Sequence, residues 1–418
     1  MTTVAAAVPD GWRVVRLGEV ADERRQRAGA ERPEVYSVTK HDGFVRSADY
    51  FDRQVFSRDV SAYRLVRRGD FAYATIHLDE GSLGLFKAAD AGLISPMYTV
   101  FEVDGDQVDR TFLFEYLKRP SMIQKYGRLG DGTVHRRKSI RFSSLGRLEL
   151  NLPPLSEQRR IAAVLDAIDE AIERSQAVVS ATEGLRRSLL HELLSEGLPE
   201  RHSAWREVAG VGRVPSSWEV VRLGEVTTEP IRNGFSTGAA DAPTGWWLLT
   251  LAAVSHSGFV PEATKPAPID AHVQSFQLIP GDLLVSRSNT SERVGLAGIY
   301  RGIPENCSYP DLLMRVRVDN TRALVEFVEA ALLSGRGRTY FERRARGTSG
   351  SMVKITGDIL RQFPLALPPI EEQEAIVAAL DAVDRSLEAA RNSTSVLGSL
   401  KASLADNLLS GRVRVAGT

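Results

Sequence analysis

Two stretches of this sequence combine cations and hydroxyls in the way that suits a polyanion. One is Gly130-Asp-Gly-Thr-Val-His-Arg-Arg-Lys-Ser139, with Thr133, His135, Arg136, Arg137 and Lys138, preceded by Lys125 and Arg128. The other is Arg346-Gly-Thr-Ser-Gly-Ser-Met-Val-Lys354, with Arg346, Thr348, Ser349, Ser351 and Lys354, preceded by Arg343 and Arg344. Both are rich in Gly and in donors for phosphate oxygens and base edges. A third candidate, Arg287, Ser288, Asn289, Thr290 and Arg293, has a counterpart of different chemistry around Tyr73 and His77. Arg can bridge guanine, Asn can bridge adenine, and a carboxylate can accept from cytosine, so unlike loops at like places imply unlike base sequences. The whole chain has a formal net charge of +0, yet residues 118–147 sum to +8 and residues 336–361 to +5. Local patches, not the total, attract a polyanion.

Catalytic constellations are missing. Asn151-Leu-Pro-Pro154 approaches the tetrad of an adenine methyltransferase, but Leu152 interrupts it and Leu155 stands where an aromatic residue is needed. There is no phosphate loop of the Gly-x4-Gly-Lys-Ser/Thr type, and the seven histidines show no ligand spacing. Cys307 is the only cysteine, which excludes an internal disulfide and suits a reducing cytoplasm. No apolar run approaches the ~20 residues that a bilayer requires. The sequence reads as a chain that binds and orients, with no cofactor or metal of its own.

The elements that must position the loops are written twice. Pro9-Asp-Gly-Trp-Arg-Val-Val-Arg-Leu-Gly-Glu-Val20 returns as Pro215-Ser-Ser-Trp-Glu-Val-Val-Arg-Leu-Gly-Glu-Val226, identical at 9 of 12 positions. Leu152-Pro-Pro-Leu-Ser-Glu-Gln158 returns as Leu367-Pro-Pro-Ile-Glu-Glu-Gln373, and residues 152–173 match 367–388 at 12 of 22. The Pro pair prefaces a helix, and the acids after it suit the positive helix end. Apolar residues then recur at helical steps: Ile161, Leu165, Ile168, Ile172, Val179, Leu185, Leu189 and Leu193, with a phase slip near Gly184. The second series is Ile376, Leu380, Val383, Leu387, Ala390, Leu397, Leu400, Leu404 and Leu408. So narrow a stripe describes a coiled-coil seam, and each rod would be roughly 55 Å long.

The expected fold is α+β: two mixed, mainly β domains, 9–155 and 213–370, separated by two long helices, 156–197 and 371–411. The helices pair as an antiparallel coiled coil with pseudo-two-fold symmetry. Residues 1–8, 198–212 and 412–418 read as tail, linker and tail. Strands are expected at Phe71–Ile76, Tyr98–Val103, Leu248–Leu251, Leu283–Ser286 and Leu313–Val318, and helical stretches at Phe112–Tyr126 and Leu324–Phe341. The shared Gly69-Asp70 and Gly281-Asp282 read as turns before a strand.

This duplicated frame resembles the specificity subunit of a type I restriction-modification system, from Trp12 to Gly411. The resemblance implies a cytoplasmic protein with two target-recognition domains, each reading half of a split double-stranded DNA sequence. It also implies helices that act as a ruler and dock two adenine methyltransferase subunits, which bring S-adenosylmethionine. A motor-nuclease partner would add ATP and Mg2+ for cleavage. A self-contained methyltransferase or nuclease, and a scaffold for an acidic protein or RNA, stay open as other classes.

Overall fold

A computed structural model of the chain describes residues 8–51, 56–129, 139–347 and 352–415. They form two compact units, Met1–Gln176 with Asn392–Thr418, and Ala177–Arg391. Rod 1 is one helix, Leu155–Glu196, unbroken at Gly184, and rod 2 is one helix, Ile370–Leu409. Each unit therefore holds one head and part of both rods.

In the first unit the two duplicated motifs are strand partners. Arg13–Arg16 runs antiparallel to Glu149–Leu152, with Arg13 opposite Leu152. A 3-10 turn follows at Leu17–Glu19, where Gly18 N donates to Gly146 O at 2.9 Å. A Cβ on Gly18 would stand 3.3 Å from that carbonyl, close enough that the two backbones would have to part by a few tenths of an ångström. The main sheet is antiparallel, in the order Ala21–Arg24, Tyr98–Val103, Phe71–Ala74, Leu83–Leu85. A mixed sheet sets Val35–Thr39 parallel to Ala91–Ile94. Phe71 stacks on Phe101 at 4.9 Å between centroids, in a core shared with Phe112, Leu152, Ile161, Leu165, Leu408 and Leu409.

The second unit repeats the frame. Glu219–Arg222 pairs with Pro364–Leu367, Glu219 opposite Leu367. Its main sheet runs Arg232–Asn233, Leu313–Val316, Leu283–Ser286, Ala297–Ile299. The stretch expected as a linker, 198–212, holds the first strand and turn of a hairpin, Trp205–Val208 with Gly212–Pro215, and Val211 and Val214 of that hairpin enter the core.

Each expected head helix is two helices: Arg110–Lys118 with Pro120–Tyr126, and Val325–Leu333 with Gly335–Arg344. The breaks fall at equivalent residues, Arg119 and Ser334, both extended. Pro120 cannot continue a helix but can start one, and the Ser334 hydroxyl caps the next turn by accepting from Gly337 N.

The rods pair antiparallel within each unit. In the first, Ser175 Oγ lies 2.8 Å from Thr394 Oγ1, and Lys401 Nζ 2.7 Å from Asp169. In the second, Arg391 reaches Glu183 at 2.7 Å and Arg186 Nη2 reaches Asp384 Oδ2 at 3.0 Å. The expected seam needs two corrections. Leu185 is 57% and Leu400 45% exposed, and the half-buried Arg186 and Lys401 take the seam positions. A regular alternation of four- and three-residue steps from Ile161 to Leu193 passes through Ser175, Thr182 and Arg186. From Ile376 to Leu408 it passes through Thr394 and Lys401. Following apolar residues alone created the apparent slip at Gly184.

Candidate nucleic-acid interface

Both heads bring their loops together through one shared hydrogen bond. Ile140 N donates to Thr75 O at 2.8 Å, and Ile355 N to Arg287 O at 2.9 Å. In the second head the contact widens into a ladder. Ser288–Asn289 is antiparallel to Val353–Lys354, and Lys354 exchanges both backbone hydrogen bonds with Arg346 at 2.9 Å. The two basic stretches that the sequence separates by some fifty residues thus lie side by side.

Arg293, Arg343, Arg344, Arg346 and Lys354 are exposed, and Arg287 is half-buried with Nη1 donating to Asp311 O at 3.3 Å. Arg344 lies over the Tyr340 ring at 3.9 Å. Among the described residues none of these six cations forms an ion pair, which leaves their charge for a ligand. Asn289 and Thr290 are half-buried beside them, with Thr290 N donating to Asn289 Oδ1 at 2.9 Å.

Two expected contacts lie inside. Tyr73 is 0% exposed and its hydroxyl donates to Ile140 O, because its strand Phe71–Ala74 is buried on both faces; Ser288 is also 0% exposed. Neither reaches the surface. On the first head His77 is exposed, with Nδ1 3.1 Å from Glu80, and Lys125 and Arg128 are exposed. Thr133, His135, Arg136, Arg137, Lys138, Thr348, Ser349 and Ser351 lie outside the described residues.

Some of the cations in the two basic segments serve the fold. Arg119 donates to Leu409 O and Arg336 to Leu194 O, equivalent carbonyls in the last turns of the two rods. A guanidinium there satisfies orphan acceptors and opposes the negative helix end. Lys118 donates to Lys40 O and Gly81 O, both at 2.8 Å, and Arg338 to Glu292 O at 2.9 Å. Burial lowers the pKa of Lys118, Arg336 and Arg338 below their ordinary values.

The shared Glu-Gln after Leu-Pro-Pro holds each head onto its rod. Gln158 Oε1 accepts from Asp109 N, while its amide donates to Gln107 O and Pro153 O. Gln373 does the same with Leu324 N, Arg322 O and Pro368 O. Glu157 takes both ends of the Arg414 guanidinium at 2.7 Å. Glu372 accepts from Leu198 N and Trp218 Nε1, and lies 2.7 Å from His202 Nε2. Sequence reasoning took these acids and amides for helix-end decoration; their identity in both copies was the signal.

The Gly-Asp turns hold beneath the loops. Gly69 and Gly281 adopt φ of +91° and +95°, and Asp70 and Asp282 accept from Arg67 N and Ile279 N. Each buried carboxylate also takes a guanidinium from elsewhere in its sheet, Arg24 in one head and Arg317 in the other.

Glu329 is a half-buried acid on the helix Val325–Leu333, facing the second head's sheet. Its carboxylate accepts from Ile299 N at 2.9 Å, and burial pushes its pKa up to about 7, against the opposing pull of Arg301 and Arg186. The folded value lies above the unfolded one, so the folded chain keeps the proton longer. Stability is therefore greatest in acid and falls as pH rises from about 4.5 to about 7. Glu329→Gln keeps the acceptor and removes the titration. In urea melts it should match the parent near pH 4.5 and exceed it by up to about 3 kcal/mol at pH 8. A constant difference across that range would place the ionised carboxylate comfortably in the fold.

Among the described residues no helix is long and apolar enough to cross a membrane, and no cluster of His, Cys, Asp or Glu is placed to hold a metal ion. The family model described as the type I restriction modification DNA specificity domain matches residues 9–178 and 341–394, more than half of the chain. The MjaVIII type I restriction enzyme specificity subunit of Methanocaldococcus jannaschii is 23% identical, over 98% of this chain and 94% of its own. The EcoKI specificity subunit of Escherichia coli K12 is 27% identical over 58% of this chain and 52% of its own. Among solved structures, the type I restriction-modification S subunit of M. genitalium superposes with a TM-score of 0.55 at 15% identity, covering 99% of each chain. A chain from a type I restriction-modification assembly gives 0.57 at 21%, covering 98% of this chain and 100% of its own. With two heads built on one frame and that match along the sequence, the chain belongs to the type I restriction-modification DNA specificity family, whose part is target recognition.

Proposed function

We propose that the two heads, spanning about 9–155 and 213–370, each read one half of a bipartite, gapped double-stranded DNA target. The observation that carries this is the loop pairing at one equivalent place in both heads, with unlike side chains on it. On the second head Arg287, Asn289, Thr290, Arg293, Arg343, Arg344, Arg346 and Lys354 contact the duplex, joined by Thr348, Ser349 and Ser351. On the first, His77, Lys125, Arg128, Thr133, His135, Arg136, Arg137 and Lys138 do so. Phosphate contacts set the register, and the Asn, Arg, His and hydroxyl groups read bases.

The rods act as the spacer and carry two adenine methyltransferase subunits. Leu185 and Leu400, equivalent in the two copies, are exposed on the rods with Val178 and Val396 nearby in sequence, which supports an apolar docking face. The methyltransferase supplies S-adenosylmethionine. A motor-nuclease subunit joins for cleavage with ATP and Mg2+, and the assembly works in the cytoplasm.

Mapping methylated adenines genome-wide in cells that carry the chain and its methyltransferase tests this. The expected result is a single motif of two short specified blocks around an unspecified gap. A contiguous motif, or robust methylation by this chain alone, would overturn it.

A further inference from the structure

One side-chain cluster recurs in both units and has no part in the DNA face. Arg186 and Lys401 are equivalent residues of the two rods, and so are their partners Asp384 and Asp169. In each unit a cation on one rod, at a seam position, crosses to a carboxylate on the other rod. Each pair also addresses the head. Lys401 lies 3.1 Å from Glu115 of the helix Arg110–Lys118, and Arg186 stands in the field of Glu329 of the helix Val325–Leu333.

The neighbouring seam cannot fix an alignment alone. Between the cations and the middle of each rod the seam positions are Ser175, Val179 and Thr182 in rod 1, and Ala390, Thr394 and Leu397 in rod 2, only one of the three in each rod being a larger apolar residue. So few large side chains set little penalty on a slip of one turn. A half-buried cation sets a larger one, because a slip takes its carboxylate partner away and leaves the covered charge unpaired.

We infer that Arg186–Asp384 and Lys401–Asp169 are register locks: they fix which turn of one rod lies against which turn of the other, and with it the number of base pairs between the half-sites. The link to DNA rests on the gapped-target reading above; the lock itself does not. One helical turn is about 5.4 Å along a rod, and one base pair is about 3.4 Å along a strand, so a single slip is felt as one to two base pairs. These four are positioning residues.

The test uses the full chain with its methyltransferase subunits. One variant replaces all four residues by Leu; a second set contains Arg186→Asp, Asp384→Arg and the two combined. Each is assayed for affinity to duplexes with the gap lengthened or shortened by one and two base pairs. In parallel, Ser175→Cys with Thr394→Cys reports the register by disulfide yield, and the native Cys307, fully buried, does not interfere. The four-Leu variant should lose about tenfold of its discrimination between gap lengths and most of its cross-linking. The combined charge swap should restore what each single reversal loses. Unchanged discrimination and cross-linking in the four-Leu variant would overturn the proposal. If that variant fails to fold, the reversals and their swap decide, and failure of the swap to rescue counts against the lock. A parent without any gap preference would sink the bipartite reading, and the cross-linking would still judge the lock.

Discussion

Changing Arg287, Arg346 and Lys354 together to Gln is expected to weaken DNA binding about a hundredfold or more near physiological salt, and to lower the slope of log affinity against log salt by roughly three. These side chains stand on adjacent backbone segments, joined by the Ile355–Arg287 and Lys354–Arg346 hydrogen bonds. None spends its charge on an acid among the described residues, so a polyanion can use all three. The loss should be similar for target and unrelated duplexes where a cation meets only phosphate, and larger for the target where it meets a base. Fluorescence anisotropy with labelled duplexes across a salt series reads both quantities. Affinity and slope like the parent's would remove this ladder from the interface. Arg336 is the control. It caps Leu194 O and donates to Arg213 O, so its loss should lower the melting temperature and leave the salt slope alone.

Gln373→Ala should cost about 3 kcal/mol of stability in the second unit, and Gln158→Ala as much in the first. Each amide makes three hydrogen bonds in a fully buried site, and each truncation orphans an N–H at the start of a head helix together with two carbonyls. Gln373→Glu should be worse than Ala despite its matched shape. A carboxylate has no N–H to give Arg322 O and Pro368 O, and it would bring a charge into a dry site against two oxygens. Differential scanning calorimetry of the full chain tests the ordering. A Glu variant as stable as the parent would mean that water enters this site.

Much of the frame was legible because duplication filters noise. Leu-Gly-Glu, Leu-Pro-Pro and the rods were visible as repeats, and the strand pairing of Arg13–Arg16 with Glu149–Leu152 explains why opening and closing motifs were kept together. The rod seam was misread at Leu185 and Leu400, because hydrophobicity was followed where spacing pointed to Arg186 and Lys401. Tyr73 was misjudged for another reason. Its place in the loop that matches Arg287 to Arg293 suggested a contact, but its strand is buried on both faces. The pairing of the stretches at Arg287 and Lys354 was beyond reach, since it depends on a contact between distant segments that neither announces. Part of the positive charge also proved internal, at Lys118, Arg119 and Arg336, where counting cannot tell a helix cap from a ligand group.

Leu408 and Leu409 sit in the same core as Phe71 and Phe112, and Arg414 closes on Glu157 and on Asp10 O. The first unit is thus discontinuous in the chain, while the second, Ala177–Arg391, is one uninterrupted segment. During synthesis the order of maturation inverts the order of appearance. The later-made unit has all its parts as soon as it clears the ribosome, and the earlier-made one waits with an open hydrophobic face until the far end of rod 2 emerges. That long loop closure predicts that the first unit is the slower to fold, which hydrogen exchange during refolding would read as later protection of Phe71 and Phe112 than of Phe327.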